Sequence, residues 1–364
     1  MTIRRSLLLA VAAVALATPA AAQVQLLPNA GDANDRLGTR GAAFLLLGVD
    51  ARGAALGGSV AADVRGVPAL YWNTAGIAFS ENGRIGASIN ELFGDFGIRL
   101  NHVGAIMPIG DGAAGISVTF LTSGEMERTN ALFPQGGDPL LGDVFTYTAT
   151  AASLHYGRLL TDRLALGGAI RYVQEGIDGA RAQFVGIDVG TQFNTGLWGT
   201  TVGAALTNVG TEGRFQGRAL RARTSDGFDT GRNSIDVEPL ASNAQMPTMF
   251  RFSIATDLVG PAAAILSANP QHSLRLLGDV ADGISTPITS AIAFEYGFRD
   301  MVYLRTGKRF HNEAGAADWS GSHGLGFGGG LRLAVGGSNL MLDYGYQPWG
   351  DLDNVQVFTL ELAF

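Results

Sequence analysis

The sequence predicts an all-β protein, a transmembrane antiparallel barrel of about fourteen strands. Three observations predict it. The last ten residues, 355–364, place Phe358, Leu360, Leu362 and Phe364 at every second position, with Val357, Thr359, Glu361 and Ala363 between them. A period of two gives a strand with one apolar face. The chain then stops, with no tail to cover that face, and in a barrel lipid is the covering layer. The second observation is composition: 46% hydrophobic residues but only 16% charged, against roughly 25% charged in an average soluble domain. The third is that the connections between candidate strands sort into long and short by parity.

Residues 1–22 read as a secretory signal. Arg4 and Arg5 supply the positive region, 7–17 the apolar run, and Ala20-Ala21-Ala22 a small-residue cleavage site before Gln23. Residues 23–83 form a leader and a compact segment. The leader, to about residue 40, is polar and rich in turn formers. Residues 42–47 are a short apolar run. Segments 49–63 and 69–77 mix many small residues with few large ones, which suits short helices packed in a confined space rather than strands.

Residues 84–364 form the barrel. The candidate strands are 84–92, 98–107, 113–121, 145–158, 163–174, 181–193, 198–208, 248–256, 271–281, 289–298, 301–309, 323–334, 339–346 and 355–364. With the carboxy-terminus on the periplasmic side, even-numbered connections should be short periplasmic turns. Those at 108–112, 159–162, 194–197, 299–300 and 335–338 are short and turn-like. The third (122–144), seventh (209–247) and eleventh (310–322) are long and should face outside. The eighth, 257–270, breaks the pattern with a helix-like stretch over 258–267. The 52 glycines, spread along the chain, fit bent strands and a crowded interior.

Alternation assigns the faces. Aromatics near strand ends on the apolar face are Tyr156, Tyr172, Phe193, Trp198, Phe298, Tyr303, Tyr346, Trp349 and Phe364. The opposite face carries Arg171, Asp188, Arg251, Arg275, Asp279, Glu295, Arg305, Arg332, Asp343 and Glu361. Charges inside hydrocarbon are costly, so these should face a hydrated or plugged lumen and pair there. As lumen charges they either brace the wall or guide a substrate.

Enzymatic chemistry is not expected. Cysteine is absent, and the five histidines show no metal-ligand spacing. No Ser-His-Asp order, GxSxG or carboxylate dyad stands out. The glycines at 326–330 lack a GK[ST] ending and form no phosphate loop. No cofactor and no metal is expected. A formal net charge of -7 gives no reason to expect nucleic acid.

Segment 41–78 carries a resemblance. Gly41-Ala-Ala-Phe-Leu-Leu-Leu-Gly48, Ala51-Arg-Gly-Ala-Ala-Leu-Gly-Gly58, Ala61-Ala-Asp63 and Leu70-Tyr-Trp-Asn-Thr-Ala-Gly-Ile-Ala78 resemble the amino-terminal signature of the PorV/PorQ family, a branch of the FadL-like outer-membrane barrels. Asn73-Thr74-Ala75-Gly76 stands where the family usually has Asn-Pro-Ala-Gly. The resemblance implies a fourteen-stranded barrel with the amino-terminal helical segment inside it as a plug. It implies that Arg52, Ala54, Gly57, Gly58, Trp72 and Asn73, with Ala55 and Ala61, pack and gate that plug. The ending on Phe364 also resembles outer-membrane barrels, whose terminal strand is read by the assembly machinery. Two functions follow from the resemblance. One is binding of secreted cargo, through its carboxy-terminal domains, and of type IX secretion components. The other is FadL-like transport of hydrophobic small molecules across the outer membrane. Partners are then membrane lipid, the assembly machinery and, in the first case, cargo. The apolar residues of the third connection, Met126, Leu132, Phe133, Pro134 and Leu140-Leu141, would carry recognition in that case.

Overall fold

The computed structural model describes residues 38–129, 131–137, 139, 144–220, 222–225, 234–237, 240–260, 264–311 and 324–364. The signal at 1–22, most of the leader, and Leu140-Leu141 lie outside the described residues. Fourteen long strands make the wall. They are β1 (Arg84–Leu92), β2 (Ile98–Ile109), β3 (Gly112–Thr122), β4 (Tyr147–Leu159), β5 (Leu164–Ile177), β6 (Ala180–Asn194) and β7 (Thr201–Gly210), then β8 (Met249–Gly260), β9 (His272–Gly283), β10 (Thr286–Phe298), β11 (Val302–His311), β12 (Leu325–Val335), β13 (Ser338–Pro348) and β14 (Asn354–Ala363). Each pairs antiparallel with its sequence neighbours. β14 returns to β1 in continuous register, from Arg84↔Ala363 to Leu92↔Val355. The sheet is therefore closed and has no wall edge. Closure is the arrangement that lets strands cross a medium offering no hydrogen bonds.

The sequence parity reappears as two different ends. At the end where β1 starts and β14 finishes, strands join through residues 110–111, 160–163, 195–200, 299–301 and 336–337. At the opposite end, β3–β4, β7–β8 and β11–β12 are joined by long connections. Two turns at that end are also tight, 178–179 and 284–285. At 178–179, Asp178 and Gly179 both take positive φ, the backbone of a two-residue hairpin.

Outward positions are apolar and exposed, among them Ile89, Ile170, Val189, Leu304 and Phe358. Alternate residues point inward and are buried. No helix among the described residues is long and apolar enough to cross a membrane. Two expectations need correction. The helix-like stretch 258–267 is not helical where it is described. β8 continues to Gly260, and Ser267–Ala268 pairs parallel beside its end. The amides of Ile265, Leu266 and Asn269 bond back to the carbonyls of Asp257, Leu258 and Gly260, so the segment completes a sheet margin instead of a helix. Tyr303, expected on the apolar face, points inward. The guanidinium of Arg305 lies 5.2 Å, and that of Arg332 5.5 Å, from its ring centroid.

Residues 41–80 fill the lumen. They comprise a 3-10 turn (Ala43–Leu46), helix α1 (Ala51–Ala55), helix α2 (Ala69–Trp72) and a 3-10 stretch (Thr74–Phe79). Glycine in the wall lets plug backbone lie directly on strand backbone. A Cβ on Gly307 would sit 2.5 Å from the Leu56 carbonyl carbon, and one on Gly345 2.5 Å from the Ala51 oxygen. Neither contact is tolerable, so any side chain at these positions would expel the plug.

Candidate functional site in the plugged lumen

The plug is organised around buried polar anchors. Asp50 caps α1 by accepting from the Gly53 amide at 2.9 Å. Its other oxygen accepts from the Trp72 indole N–H, which joins the two helices. Burial pushes the Asp50 carboxyl above its ordinary value, while the Trp72 and Gly53 hydrogen bonds act against that. Asn73 caps the next turn through Ala75 N (3.2 Å) and donates to Ala61 O (2.8 Å) and to Thr191 O of β6 (3.0 Å). Thr74, standing where the resembled family has proline, uses its hydroxyl 3.3 Å from His155 Nδ1.

A chain of ion pairs fastens the plug to half of the wall. Asp257 of β8 meets Arg275 of β9 at 2.8 Å, and Arg275 meets Asp63 of the plug at 2.9 Å. Asp63 accepts from Arg52 at 2.8 and 3.1 Å, and Arg52 reaches Glu295 of β10 at 2.9 and 3.0 Å. Glu295 then meets Arg305 of β11 at 2.6 Å, and Arg305 meets Asp343 of β13 at 2.5 Å. Signs alternate along all seven residues. Burial works against the Arg52 charge, but Asp63 and Glu295 outweigh it and hold the guanidinium above its ordinary value. Asp63 is held below the usual carboxylate range, because Arg52 and Arg275 outweigh its burial.

Other predicted lumen charges form separate clusters. Arg251 pairs with Asp279 at 2.8 Å, donates to the Gly58 carbonyl at 3.2 Å, and stacks 4.8 Å from the Trp72 ring. Arg309, which sequence reasoning missed, donates to Gly57 O at 2.9 Å. Positive φ at Gly57 and Gly58 turns both carbonyls toward these arginines. Glu361 on β14 accepts from the Val67 amide at 2.8 Å and from Arg84 at 2.6 Å, so the closing strand also grips the plug. Arg332 lies outside these clusters, at the short-turn rim with Asp300 (2.7 Å). Ala54 is buried against the wall. Phe364 caps the seam through its amide to Gly83 O (2.9 Å).

Arg171 and Asp188 meet at 2.7 Å beside an irregularity in the wall. Register shifts between Ile187 and Val189, where Asn208 takes φ 59°. The extra residue of β7 is held from inside: Asp188 accepts the Asn208 amide at 2.6 Å, and Arg171 donates to the Asn208 side chain. Against this bulge lies a small cavity of about 20 Å³, lined by Leu45, Leu46, Tyr71, Trp72, Arg171, Thr207, Asn208, Met249 and Arg251. It has room for about one water. Toward the long-loop end, an apolar cluster closes the mouth, with Phe44, Leu45, Leu92, Leu100, Leu121, Phe184 and Met246 buried in it.

The β2–β4 side of the lumen is neutral and polar. Ser117 and His155 lie 3.0 Å apart there, a pairing that sequence reasoning did not find. Both are buried in the lumen and the imidazole's other nitrogen faces Thr74, so the pair has neither a carboxylate partner nor access to lipid. Among the described residues no group of acidic or histidine side chains is arranged to hold a metal.

No protein-family profile matches the chain, and no curated protein does. Solved structures do. The Ralstonia pickettii toluene transporter TbuX is similar at 12% identity and a TM-score of 0.53, over 88% of this chain and 98% of its own. The Pseudomonas putida toluene transporter TodX gives 12% and 0.53, over 87% and 96%. A FadL homologue of Pseudomonas aeruginosa gives 12% and 0.50, over 87% and 98%. The fold is that of FadL-like outer-membrane barrels. Two of these neighbours are toluene transporters and the third is a FadL homologue.

Proposed function

We propose that this protein sits in the outer membrane and passes hydrophobic small molecules through a normally plugged barrel. The observation that carries the reading is the lumen itself. An apolar mouth at the long-loop end leads to a cavity walled by Leu45, Tyr71, Trp72 and Met249, with Arg171 and Arg251 at its polar side. Such a site suits a largely apolar molecule with few polar groups. The similarity in fold to toluene transporters supports the same reading. At about 20 Å³ the cavity admits no such molecule as it stands, so passage requires the mouth or plug to move. The test is uptake of a labelled monoaromatic hydrocarbon by cells with an intact lipopolysaccharide leaflet. Cells making the protein should take it up faster than otherwise identical cells lacking it, and equal rates would overturn the proposal.

Capture of type IX secretion cargo is the weaker reading. It rests on the resemblance of segment 41–78, whose signature residues Ala54, Ala61, Trp72 and Asn73 are buried inside the lumen. They explain a shared plug better than a shared contact with cargo. Loss of cargo release after deleting residues 125–141, with the barrel still assembled, would restore it.

A further inference from the structure

We propose that Met246 occupies, with its own side chain, a subsite on the lumen wall built for an apolar ligand, and must leave it before a ligand binds. This deepens the channel reading and rests on it for the ligand's role, though the niche is testable by itself.

Gly186 of β6 and Gly210 of β7 are directly paired across the wall, immediately on the long-loop side of the bulge. Neither offers a side chain to the lumen, so the wall there is bare backbone. The Met246 side chain fills the gap. A Cβ on Gly186 would lie 2.8 Å from its methyl carbon and 2.9 Å from its sulfur, and one on Gly210 would collide with the sulfur. Met246 is only 2% exposed, although it belongs to the long β7–β8 connection. It packs in the same apolar cluster as Phe44, Leu45 and Phe184. The niche adjoins the cavity, since Thr207, Asn208 and Met249 line the cavity within a few residues of Gly210 and Met246.

The flanking residues tie this position to the plug and to the bulge. The Gln245 carbonyl accepts the Gly41 amide at 3.1 Å, at the start of the plug. The Pro247 carbonyl accepts Asn208 Nδ2 at 3.4 Å, at the bulge. Withdrawal of Met246 therefore loosens the plug's first residues and uncovers the bulge together. A thioether is apolar, unbranched and adaptable. Its replacement should share those properties: a flat ring or short alkyl chain without charge. Binding to a site that is mostly self-occupied is weakened by the fraction of time the site is open, so removing the occupant should tighten binding.

The test measures binding of an apolar naphthylamine dye to the purified, detergent-solubilised full chain. Barrel integrity is checked by heat-modified gel mobility. Met246→Ala should bind the dye about tenfold more tightly than wild type. Adding Gly186→Ala to it, which puts a methyl group into the emptied niche, should reverse most of that gain. The chain has no cysteine, so Met246→Cys can be labelled with a charged maleimide without background. It should react about tenfold more slowly than Leu240→Cys, whose position is 79% exposed, and should speed up when dye is added. Met246→Ala binding no better than wild type, or Met246→Cys reacting as fast as Leu240→Cys without dye, overturns the proposal. Tight binding by Met246→Ala without hydrocarbon uptake by cells overturns the channel reading and leaves the niche standing.

Discussion

Replacing Arg52 with methionine should unlatch the plug without unmaking the barrel. Arg52 holds Asp63 and Glu295 through four hydrogen bonds of 2.8 to 3.1 Å. Removing one partner of a buried pair typically costs about 3–5 kcal/mol. Each carboxylate keeps a second arginine, Arg275 for Asp63 and Arg305 for Glu295, so the lower end, about 3 kcal/mol, applies. Methionine retains the stem's packing, so the loss is electrostatic. Leaving the lumen rehydrates Asp63, so most of the cost is relieved by plug release and not by barrel unfolding. At about 1.4 kcal/mol per decade, the plug-open fraction should rise about a hundredfold. The assay is single-channel recording in a planar bilayer, with heat-modified gel mobility confirming an intact barrel. Arg52→Lys keeps the charge but not the fork that meets two carboxylates, and should fall between. An opening frequency for Arg52→Met within threefold of wild type, with the barrel intact, would refute the latch.

Three further outcomes follow from the same geometry. Gly307→Val, whose side chain would occupy the site of the Leu56 backbone, should leave the barrel assembled but expose segment 41–80 to protease. Trp72→Phe strips Asp50 of its indole donor and should lower plug protection by about 1–3 kcal/mol, read from the proteolysis rate. Asp63→Asn should weaken plug retention equally at pH 7 and pH 5. A carboxyl held below its ordinary value contributes fully above about pH 3.9, its unfolded value, and loses that contribution only as pH falls through the lower folded value.

Local sequence carried the wall, because a strand declares its faces within five or six residues. Val185, Ile187 and Val189 alternate with Gly186 and Asp188, and the structure puts the first set outside and Asp188 inside. The same period already joined Tyr303 to Arg305 on one face. Assigning Tyr303 to the apolar face followed its residue type instead of its position, and the structure shows the position deciding. What the sequence could not show is pairing at long range. Nothing near Asp63 announces Arg275, and nothing near Val67 announces Glu361. The bulge left a faint signal, since asparagine tolerates the left-handed backbone that Asn208 adopts. The return of Met246 into the lumen left none, because a methionine after a polar loop looks the same whether buried or not. The 258–267 stretch misled because its small apolar residues suit a helix, while the free margin of β8 supplied better hydrogen-bond partners.

In this architecture lipid covers the outer face of a closed barrel while the plug covers the inner one. Spin labels on single cysteines at Ile170 and Phe358, which face out, and at Val173, which is fully buried inside, test it most directly in bilayers. Dissolved oxygen should relax the labels at Ile170 and Phe358 and a water-soluble nickel chelate should not, while neither should reach Val173. Relaxation by the nickel chelate at Ile170 and Phe358 would contradict it.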